Sequence, residues 1–289
     1  MKIIESPPEM QRQIEAWRLD GKTIGFIPTM GALHQGHLEL VRRARKENSV
    51  VVTSIFVNPT QFRPGEDYQK YPRVFERDCA LLQSNHCDVV FAPTKDAMYP
   101  EGATTFVEVG VLGSRWEGEI RPGHFRGVAT IVAKLFNLVR AHRAYFGEKD
   151  FQQLKIIEAM TRDLNFEIEV VPCQTIRESD GLALSSRNAY LSSREREAAP
   201  AIFRALHAAQ KLAARGESNA EILRDAMHEI LANEPRLQPE YSVVVDAQTL
   251  EPIEKLTHEK PARALIAARA GSTRLIDNAE LELAEFQPD

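Results

Sequence analysis

Short apolar runs alternate with amphipathic segments through the first 175 residues, and this alternation constrains the fold more than any other feature of the chain. Several runs are apolar at consecutive positions, which is typical of parallel strands whose two faces are both covered by helices. The strand-like runs span residues 23–29, 49–57, 88–93, 144–150 and 166–172, and the helix candidates span residues 37–47, 73–86, 125–141 and 151–164. This order predicts an α/β fold with a doubly wound, Rossmann-like parallel sheet.

The alternation of strand-like runs and helix candidates ends at about residue 176. The elements predicted beyond that point are Ala-rich helices over 193–215 and 218–234, the second capped by Ser218, then strands over 241–247 and 263–270 and a candidate third over 274–278. We therefore predict two domains, residues 1–176 and a smaller α+β domain over residues 177–289. The Gly-rich segment 101–127 interrupts the alternation and is interpreted as either an active-site lid or a hairpin.

Composition excludes several classes of function. With 36 basic and 41 acidic residues the net charge is −5, so there is no bulk electrostatic case for nucleic-acid binding. The three cysteines form no CxxC pair, so we expect neither a disulfide framework nor a zinc site. The N-terminus lacks a signal-peptide pattern, and the longest apolar runs are too short to span a bilayer. We therefore expect a soluble, cytoplasmic protein without membrane or nucleic-acid partners.

The stretch PTMGALHQGHL, residues 28–38, lies between the first strand-like run and a helix candidate. His34 and His37 are one helical turn apart, with Gly36 between them. The first N–H groups of a helix lack partners and the macrodipole is positive there, so this end favours an anion. We expect both histidines to donate in the same direction as the free backbone N–H groups, which makes a phosphate site. The motif alone is also compatible with two surface histidines or with two histidines that bind a metal.

Polar residues also follow the other strand-like runs, in the stretches FVNPTQF (56–62), RPGHFRG (121–127), FGEKD (146–150) and DGLALSSRN (180–188). The amides of Asn58 and Gln61 suit a carboxylate or hydroxyl group. Lys149 suits a phosphate, and Asp150 suits either a helix cap or Mg²⁺. The Ser-Ser-Arg sequence at 185–187 suits a pyrophosphate. Each stretch by itself also fits an ordinary turn, a polar loop or a helix cap.

Taken together, the five stretches resemble the pantothenate synthetase (pantoate–β-alanine ligase) family. The resemblance runs from about residue 3 to residue 280 and is densest between 25 and 192; it is carried by PTMGALHQGH, FVNPTQF, RPGHFRGVAT, FGEKDFQQL and DGLALSSRN. HxGH alone marks the wider nucleotidyltransferase superfamily, in which the later serine loop is similar to the KMSKS loop of class I aminoacyl-tRNA synthetases. The one visible departure is Leu184, where methionine is common in the family.

The resemblance implies a two-step, Mg²⁺-dependent ligation with ATP as a substrate. Pantoate would attack the α-phosphate of ATP, giving pantoyl adenylate and pyrophosphate. β-Alanine would then attack the adenylate, giving pantothenate and AMP. The family is typically dimeric through the N-terminal domain, which implies a homodimer.

The family's site residues carry over to matching positions of this chain. The catalytic group implied is His37, His34 and Lys149; His37 is usually assigned as the general acid, and donating a hydrogen bond or charge to the phosphates is its more defensible role. The implied ATP contacts are Met30, Gly31, Ala32, Leu33, His34, Gln35, Gly36, His37, Gly147, Glu148, Lys149, Asp150, Ile176, Leu184, Ser185, Ser186 and Arg187. The implied pantoate contacts are Gln61, Gln153 and Met30, and those for β-alanine are Gln61 and Tyr71. No metal ligands are assigned.

Two alternatives stay open from the sequence. A nucleotidyltransferase acting on a phosphorylated acceptor would also use HxGH and a serine loop, but it would call for another Arg/Lys cluster where this chain has Gln61 and Gln153. A catalytically silent nucleotide-binding protein is the second alternative. The presence of both histidines, Lys149 and the Ser-Ser-Arg sequence argues against it.

Overall fold

The computed structural model describes residues 1–284. The chain forms two compact units, Met1–Gln174 and a second that begins at Thr175. Within the described residues, every helix is too short or too polar to cross a membrane.

A six-stranded sheet organises the first unit. Its strands are β1 (Lys2–Ile4), β2 (Ile24–Thr29), β3 (Val50–Ile55), β4 (Val89–Phe91), β5 (Arg143–Gly147) and β6 (Glu169–Cys173). All neighbouring strands are parallel, in the order β1-β4-β3-β2-β5-β6. Residues 24–27 and 50–54 are buried at every position, as expected for strands covered on both faces. The predicted doubly wound, Rossmann-like domain is confirmed.

Helices pack on this sheet in two groups. They are α1 (Pro7–Leu19), α2 (Gln35–Glu47), α3 (Phe75–Ser84), α4 (Lys95–Met98), α5 (Glu117–Ile120), α6 (His124–Val139) and α7 (Phe151–Asp163). α1 and α7 both pack against α6, whereas α2 packs against α3. The apolar stripe that predicts α6 is buried throughout, at Val128, Ile131, Val132, Leu135, Phe136 and Val139.

The strand order reverses beside β2. This strand pairs with β3 on one side and with β5 on the other, so the chain winds outward in both directions from the β2–β5 pair. In open parallel sheets, ligands bind beyond the carboxyl ends of the strands at such a switch point. The loop 30–37 leaves β2 there, and residues 148–150 leave β5 there. The topology therefore brings the HQGH and FGEKD stretches to one place.

Some predicted boundaries in the first unit are wrong. The strand expected over 144–150 ends at Gly147, because residues Glu148–Asp150 turn into a 3-10 helix. The segment 101–127 contains the 3-10 turn Gly110–Gly113 and α5, so the hairpin interpretation is wrong and the lid interpretation stays a prediction. The short edge strand β1 and α1 carry no predicted counterpart; three residues are too few for a periodicity to be recognised.

The second unit is an α+β fold, as predicted. It consists of α8 (Ser193–Ala198), α9 (Ala201–Ala213), α10 (Ala220–Ala232) and the strands β7 (Leu237–Asp246), β8 (Ala262–Ala270) and β9 (Thr273–Leu281). The strands form an antiparallel sheet in the order β7-β8-β9, which confirms the candidate third strand. α9 packs against α10, β8 and β9 over a core of alanine and larger aliphatic side chains.

Two expectations for its helices are corrected. The helix predicted over 193–215 is divided between α8 and α9 at Pro200, which has no N–H group to continue a helical ladder. The N-cap of α10 is Asn219 rather than Ser218. The Asn219 side chain accepts a hydrogen bond from the N–H group of Glu221 at 2.9 Å.

Candidate active site

His34 and His37 cap the helix that follows β2. His34 is the N-cap of α2 and its Nδ1 atom accepts a hydrogen bond from the N–H group of Gly36 at 3.2 Å. The N–H group of His34 donates to Nδ1 of His37 at 3.3 Å, and the two ring centroids are 4.1 Å apart. Since Nδ1 of each ring accepts, the proton of each neutral ring lies on Nε2. The backbone thereby selects the tautomer that can donate outward from Nε2.

Five backbone N–H groups of this loop have acceptors inside the protein, so they are not the free donors that the sequence predicts at the start of α2. The N–H group of Gly31 donates to Thr29 Oγ1 at 3.1 Å, and those of Ala32 and Leu33 donate to the carboxylate of Asp78 at 2.7 and 2.9 Å. The N–H groups of His34 and Gly36 donate to the imidazoles. Side chains satisfy these five donors inside the protein, and the Nε2–H groups of the two imidazoles are the donors that the histidines add.

Both histidines are neutral at pH 7. Burial lowers the pKa of His34 to about 4, with a further lowering from the ammonium group of Lys149 and an opposing effect from Asp150. Burial also lowers the pKa of His37 to about 3, and the neighbouring His34 adds to this effect. A neutral imidazole donates a hydrogen bond without carrying a full positive charge. At pH 7 each ring therefore donates as a neutral imidazole, and the catalytic role of His37 stays a prediction.

We expect the two neutral histidines to make the fold sensitive to acid. Their folded-state pKa values, about 4 and about 3, lie below the ordinary value of 6.5, so their stabilisation is complete above about pH 6.5 and is lost as the pH falls toward 4. Each histidine can contribute a slope of up to about 1.4 kcal/mol per pH unit in this window. The free energy of unfolding, measured with urea at a series of pH values, should fall less steeply with falling pH in a His34→Asn/His37→Asn double variant than in the wild type. An equal pH dependence in the two proteins would contradict the low pKa values of the histidines.

Lys149 and Asp150 lie beside the histidines. Both follow β5 in the 3-10 turn Glu148–Asp150, and their charges act on His34 and His37. The Lys149 ammonium is 3.7 Å from Asp150 Oδ1, and the two side chains are 18% and 49% exposed. Asp150 is the N-cap residue of α7, but its side chain makes no capping hydrogen bond, so the helix-cap alternative is wrong. Its half-exposed carboxylate is available for other chemistry.

Gln61 and Met30 meet at the same edge of the sheet. Gln61 is the buried residue of the 3-10 turn Pro59–Gln61 after β3, and its Nε2 atom is 3.2 Å from Met30 Sδ. Its Oε1 atom accepts from Asn58 Nδ2 at 3.0 Å, and the same Nδ2 atom donates to the carbonyl of Gly127 at 3.1 Å. Asn58 therefore holds the turn in place, whereas its motif suggested a ligand group. Of the residues implied for pantoate, the structure brings Met30 and Gln61 together.

The other two residues implied for the acid substrates are Tyr71 and Gln153. Tyr71 is buried, and its ring packs edge-on against Phe62, which directly follows Gln61, with 6.0 Å between centroids. Gln153 is half-buried on the first turn of α7. The β-alanine role of Tyr71 and the pantoate role of Gln153 stay predictions.

The RPGHFRG stretch supports the turn that carries Gln61. Arg121 forms a bidentate ion pair with Glu66, at 2.9 Å from Nε and 2.6 Å from Nη2, and its Nη1 atom is 3.1 Å from Nε2 of His124. His124 Nδ1 donates to the carbonyl of Gln61 at 2.8 Å. Burial lowers the pKa of His124 to about 4, so this ring is neutral with its proton on Nδ1. Its tautomer is thus opposite to that of His34 and His37.

A hairpin in the second unit brings other implied ATP contacts together. The N–H group of Leu184 donates to the carbonyl of Ile176 at 2.9 Å. Ser185 caps the following 3-10 turn Ser186–Tyr190 by accepting from the N–H group of Arg187 at 3.3 Å. The hairpin turns at Gly181, where φ is 91° and an added Cβ would lie 2.0 Å from the ring of Phe203. Ser185 therefore acts as a helix cap, which is one of the alternatives for this stretch. Its role in ATP binding stays a prediction.

Comparison with known proteins shows the family. The profile of the family described as Pantoate-beta-alanine ligase matches residues 2–280. A pantothenate synthetase of Rubrobacter xylanophilus is 56% identical over 286 residues, covering 96% of this chain and 98% of the relative. The chain belongs to the pantoate–β-alanine ligase family. The resemblance carried by the five motifs is therefore confirmed, and the chain is an enzyme of the ligase class.

Solved structures of pantoate–β-alanine ligases share this fold. The pantothenate synthetase of Thermus thermophilus has a TM-score of 0.92 and 49% identity, with 98% of this chain and 100% of the other covered. The enzyme of Francisella tularensis, complexed with beta-gamma ATP and β-alanine, has a TM-score of 0.78 and 35% identity, with 97% of each chain covered.

Asp78 is a residue of this region that the motifs do not include. It lies on α3, 45 residues from Leu33 in the sequence, and its side chain is 1% exposed. Burial raises the pKa of its carboxyl, and the N–H groups of Leu33 and Ala32 partly oppose this rise. A single aspartate in an amphipathic helix has no local pattern that points to a distant loop. Only the tertiary contact identifies it.

Proposed function

We propose that this chain joins (R)-pantoate to β-alanine through a pantoyl-adenylate intermediate. In the first step, a carboxylate oxygen of pantoate bonds to the α-phosphorus of ATP, and the bond to the bridging oxygen breaks to release pyrophosphate. In the second step, the amine nitrogen of β-alanine bonds to the acyl carbon, and the bond to the phosphate oxygen breaks to release AMP. The amine loses a proton to give the amide of pantothenate.

The observation that carries this proposal is the grouping of three donors at the switch point. His34 and His37 each have Nε2–H as the donor left by the backbone contacts, and the Lys149 ammonium lies close enough to lower the pKa of both. Attack by a carboxylate on a polyphosphate builds up negative charge, which preorganised donors of this kind stabilise. Positioning and electrostatics suffice for both steps, so no covalent intermediate on the protein is required.

The proposed assignment of ligands follows the motifs. We assign the ATP phosphates to the loop 30–37 and to Gly147–Asp150 in the first domain, residues 1–176. The other ATP contacts that the family resemblance implies are Ile176, the last residue of that domain, and Leu184–Arg187 in the domain over 177–289. Gln61, Gln153 and Met30 hold pantoate, with the contact between Gln61 and Met30 in support. Gln61 and Tyr71 hold β-alanine.

Mg²⁺ fits the site as an ion held mainly by the substrate. Among residues 1–284 no three His, Cys, Asp or Glu side chains cluster so as to hold a metal. Mg²⁺ commonly keeps several waters and takes one or two carboxylates together with substrate phosphates. The half-exposed carboxylate of Asp150, beside Lys149, fits that requirement. When bound with ATP, the ion would neutralise phosphate charge. The homodimer stays a prediction from the family resemblance, and the cytoplasmic location stays a prediction from the cysteine pattern and composition.

The test is pantoate-dependent exchange of labelled pyrophosphate into ATP, followed by AMP release when β-alanine is added. We expect exchange with pantoate alone and sustained AMP formation only with both acids. Lys149→Ala should slow exchange by about 10²–10³-fold, since it removes one phosphate-facing donor. Lys155→Ala is the matched control, because Lys155 pairs with Glu158 at 2.8 Å on the next helix. ATP binding without pyrophosphate exchange in the wild type would refute the proposed reaction.

A further inference from the structure

The carboxylate of Asp78 bridges α3 to the loop that follows β2. Its Oδ2 atom accepts from the N–H group of Ala32 at 2.7 Å, and its Oδ1 atom accepts from that of Leu33 at 2.9 Å. Hydrogen bonds from backbone N–H groups to an ionised carboxylate are shorter and stronger than those between neutral groups. Two consecutive peptide groups are thereby fixed by one side chain. This pair of bonds determines the path of the chain immediately before His34.

The segment held in this way has a strained backbone. Gly31 and Ala32 both have positive φ, of 80° and 52°. A non-glycine residue in the left-handed region is strained and persists only where surrounding contacts compensate. At Gly31, an added Cβ would lie 3.0 Å from Asp78 Oδ2, so glycine also leaves room for the carboxylate to approach. The conformation of this loop and the position of Asp78 therefore depend on each other.

We propose that Asp78 is a positioning residue, which holds residues 31–33 so that His34 and His37 keep the geometry in which both donate from Nε2. This inference rests on the proposed function of the two histidines. The N–H group of His34, which donates to His37, directly follows the two N–H groups that Asp78 binds. A displacement of Leu33 would move that donor away from His37 Nδ1. Asp78 thus acts on catalysis through the loop and does not itself contact substrate.

The chain contains a matched control for this role. Asp88 also accepts a hydrogen bond from a backbone N–H group, that of Val51 at 2.7 Å, and pairs with Arg45 at 2.6 Å. It precedes β4 and contacts the first half of β3, so it lies at the amino edge of the sheet, opposite to the switch point. Asp78→Asn and Asp88→Asn each remove a carboxylate that accepts a hydrogen bond from a backbone N–H group. Only the first variant affects the loop.

The experiment compares Asp78→Asn with Asp88→Asn in pyrophosphate exchange, thermal unfolding and ¹⁵N NMR of histidine-labelled protein. An asparagine at 78 would turn one NH₂ group toward a backbone N–H donor, so the loop should shift. We expect kcat of exchange to fall about 10²-fold in Asp78→Asn, as for a misplacement of about 1 Å, and to stay near the wild-type value in Asp88→Asn. His34 and His37 should lose their single Nε2–H tautomer in Asp78→Asn alone, while His124 keeps its Nδ1–H tautomer.

Equal kcat values and unchanged tautomers in the two variants would overturn the inference. If Asp78→Asn does not fold, Asp78→Glu and Asp88→Glu allow the same comparison, since the longer carboxylate keeps its charge but displaces its oxygens. A wild type that does not exchange pyrophosphate refutes the proposed function instead. The tautomers of His34 and His37 still test the positioning role in that case, because they require no turnover.

Discussion

His37→Asn should lose most of its adenylation activity while keeping its fold. The asparagine Oδ1 atom can replace Nδ1 as the acceptor for the N–H group of His34, which is 3.3 Å from Nδ1 in the wild type. No atom of asparagine reaches the position of Nε2. Removing one preorganised donor of this kind costs about 2.7–4 kcal/mol, so we expect pyrophosphate exchange to slow by about 10²–10³-fold. The unfolding free energy should change little, because the cap of α2 is retained.

His142→Asn is the control for that variant. His142 Nδ1 also accepts from a backbone N–H group, that of Ile24 at 3.0 Å, at the start of β2. The same loss of imidazole at that site should leave exchange unaffected. His37→Gln, whose amide nitrogen reaches the position of Nε2, should recover part of the rate. Near-wild-type exchange in His37→Asn would remove His37 from the catalytic group.

Gly127→Ala should damage both stability and pantoate use. An alanine Cβ at this position of α6 would lie 2.4 Å from the carbonyl oxygen of Thr60 and 2.7 Å from the nitrogen of Gln61. These are backbone atoms, so the helix and the turn must move apart. Overpacking of this kind costs about 1–3 kcal/mol. Because Gln61 moves with the turn, we expect kcat/KM for pantoate to fall by up to about 10²-fold, measured beside the thermal midpoint.

Gly216→Ala separates the two effects. Gly216 has φ of 95°, and an added Cβ meets nothing within 4 Å, so alanine there adds about 1–2 kcal/mol of backbone strain without a clash. We expect a lower thermal midpoint with unchanged kinetics for pantoate. If Gly127→Ala loses stability but keeps its kcat/KM for pantoate, the position of Gln61 does not depend on this contact.

Sequence patterns predicted the parts of this protein that depend on short-range order. Continuous apolar runs at β2 and β3 indicate a sheet covered on both faces, and the stripe from Val128 to Val139 indicates α6. The stripe follows because burial repeats with the helical period, whereas a strand covered on both faces is apolar at every position. The five motifs likewise identified the family, since they retain residue identities as well as polarity.

The sequence predicted the location of the candidate site better than its chemistry. It placed His34, His37 and Lys149 beyond the ends of two strands, and the topology brings those ends together at the β2–β5 pair. It did not predict that the imidazoles would accept from the backbone, because that contact depends on the exact turn of the chain. Nor did it predict that Arg121 and His124, in the RPGHFRG stretch, bind Glu66 and the carbonyl of Gln61.

What the sequence alone determined is the fold class, the order of the elements and the family, all of which are encoded in local periodicity and motif identity. Only the tertiary structure decided the protonation and tautomers of the histidines and the role of Asp78. Burial sets the pKa values of His34 and His37, and the carboxylate that orders the loop before them comes from a helix 45 residues away. Desolvation and long-range hydrogen bonds exist only once the chain has folded, so no local pattern records them.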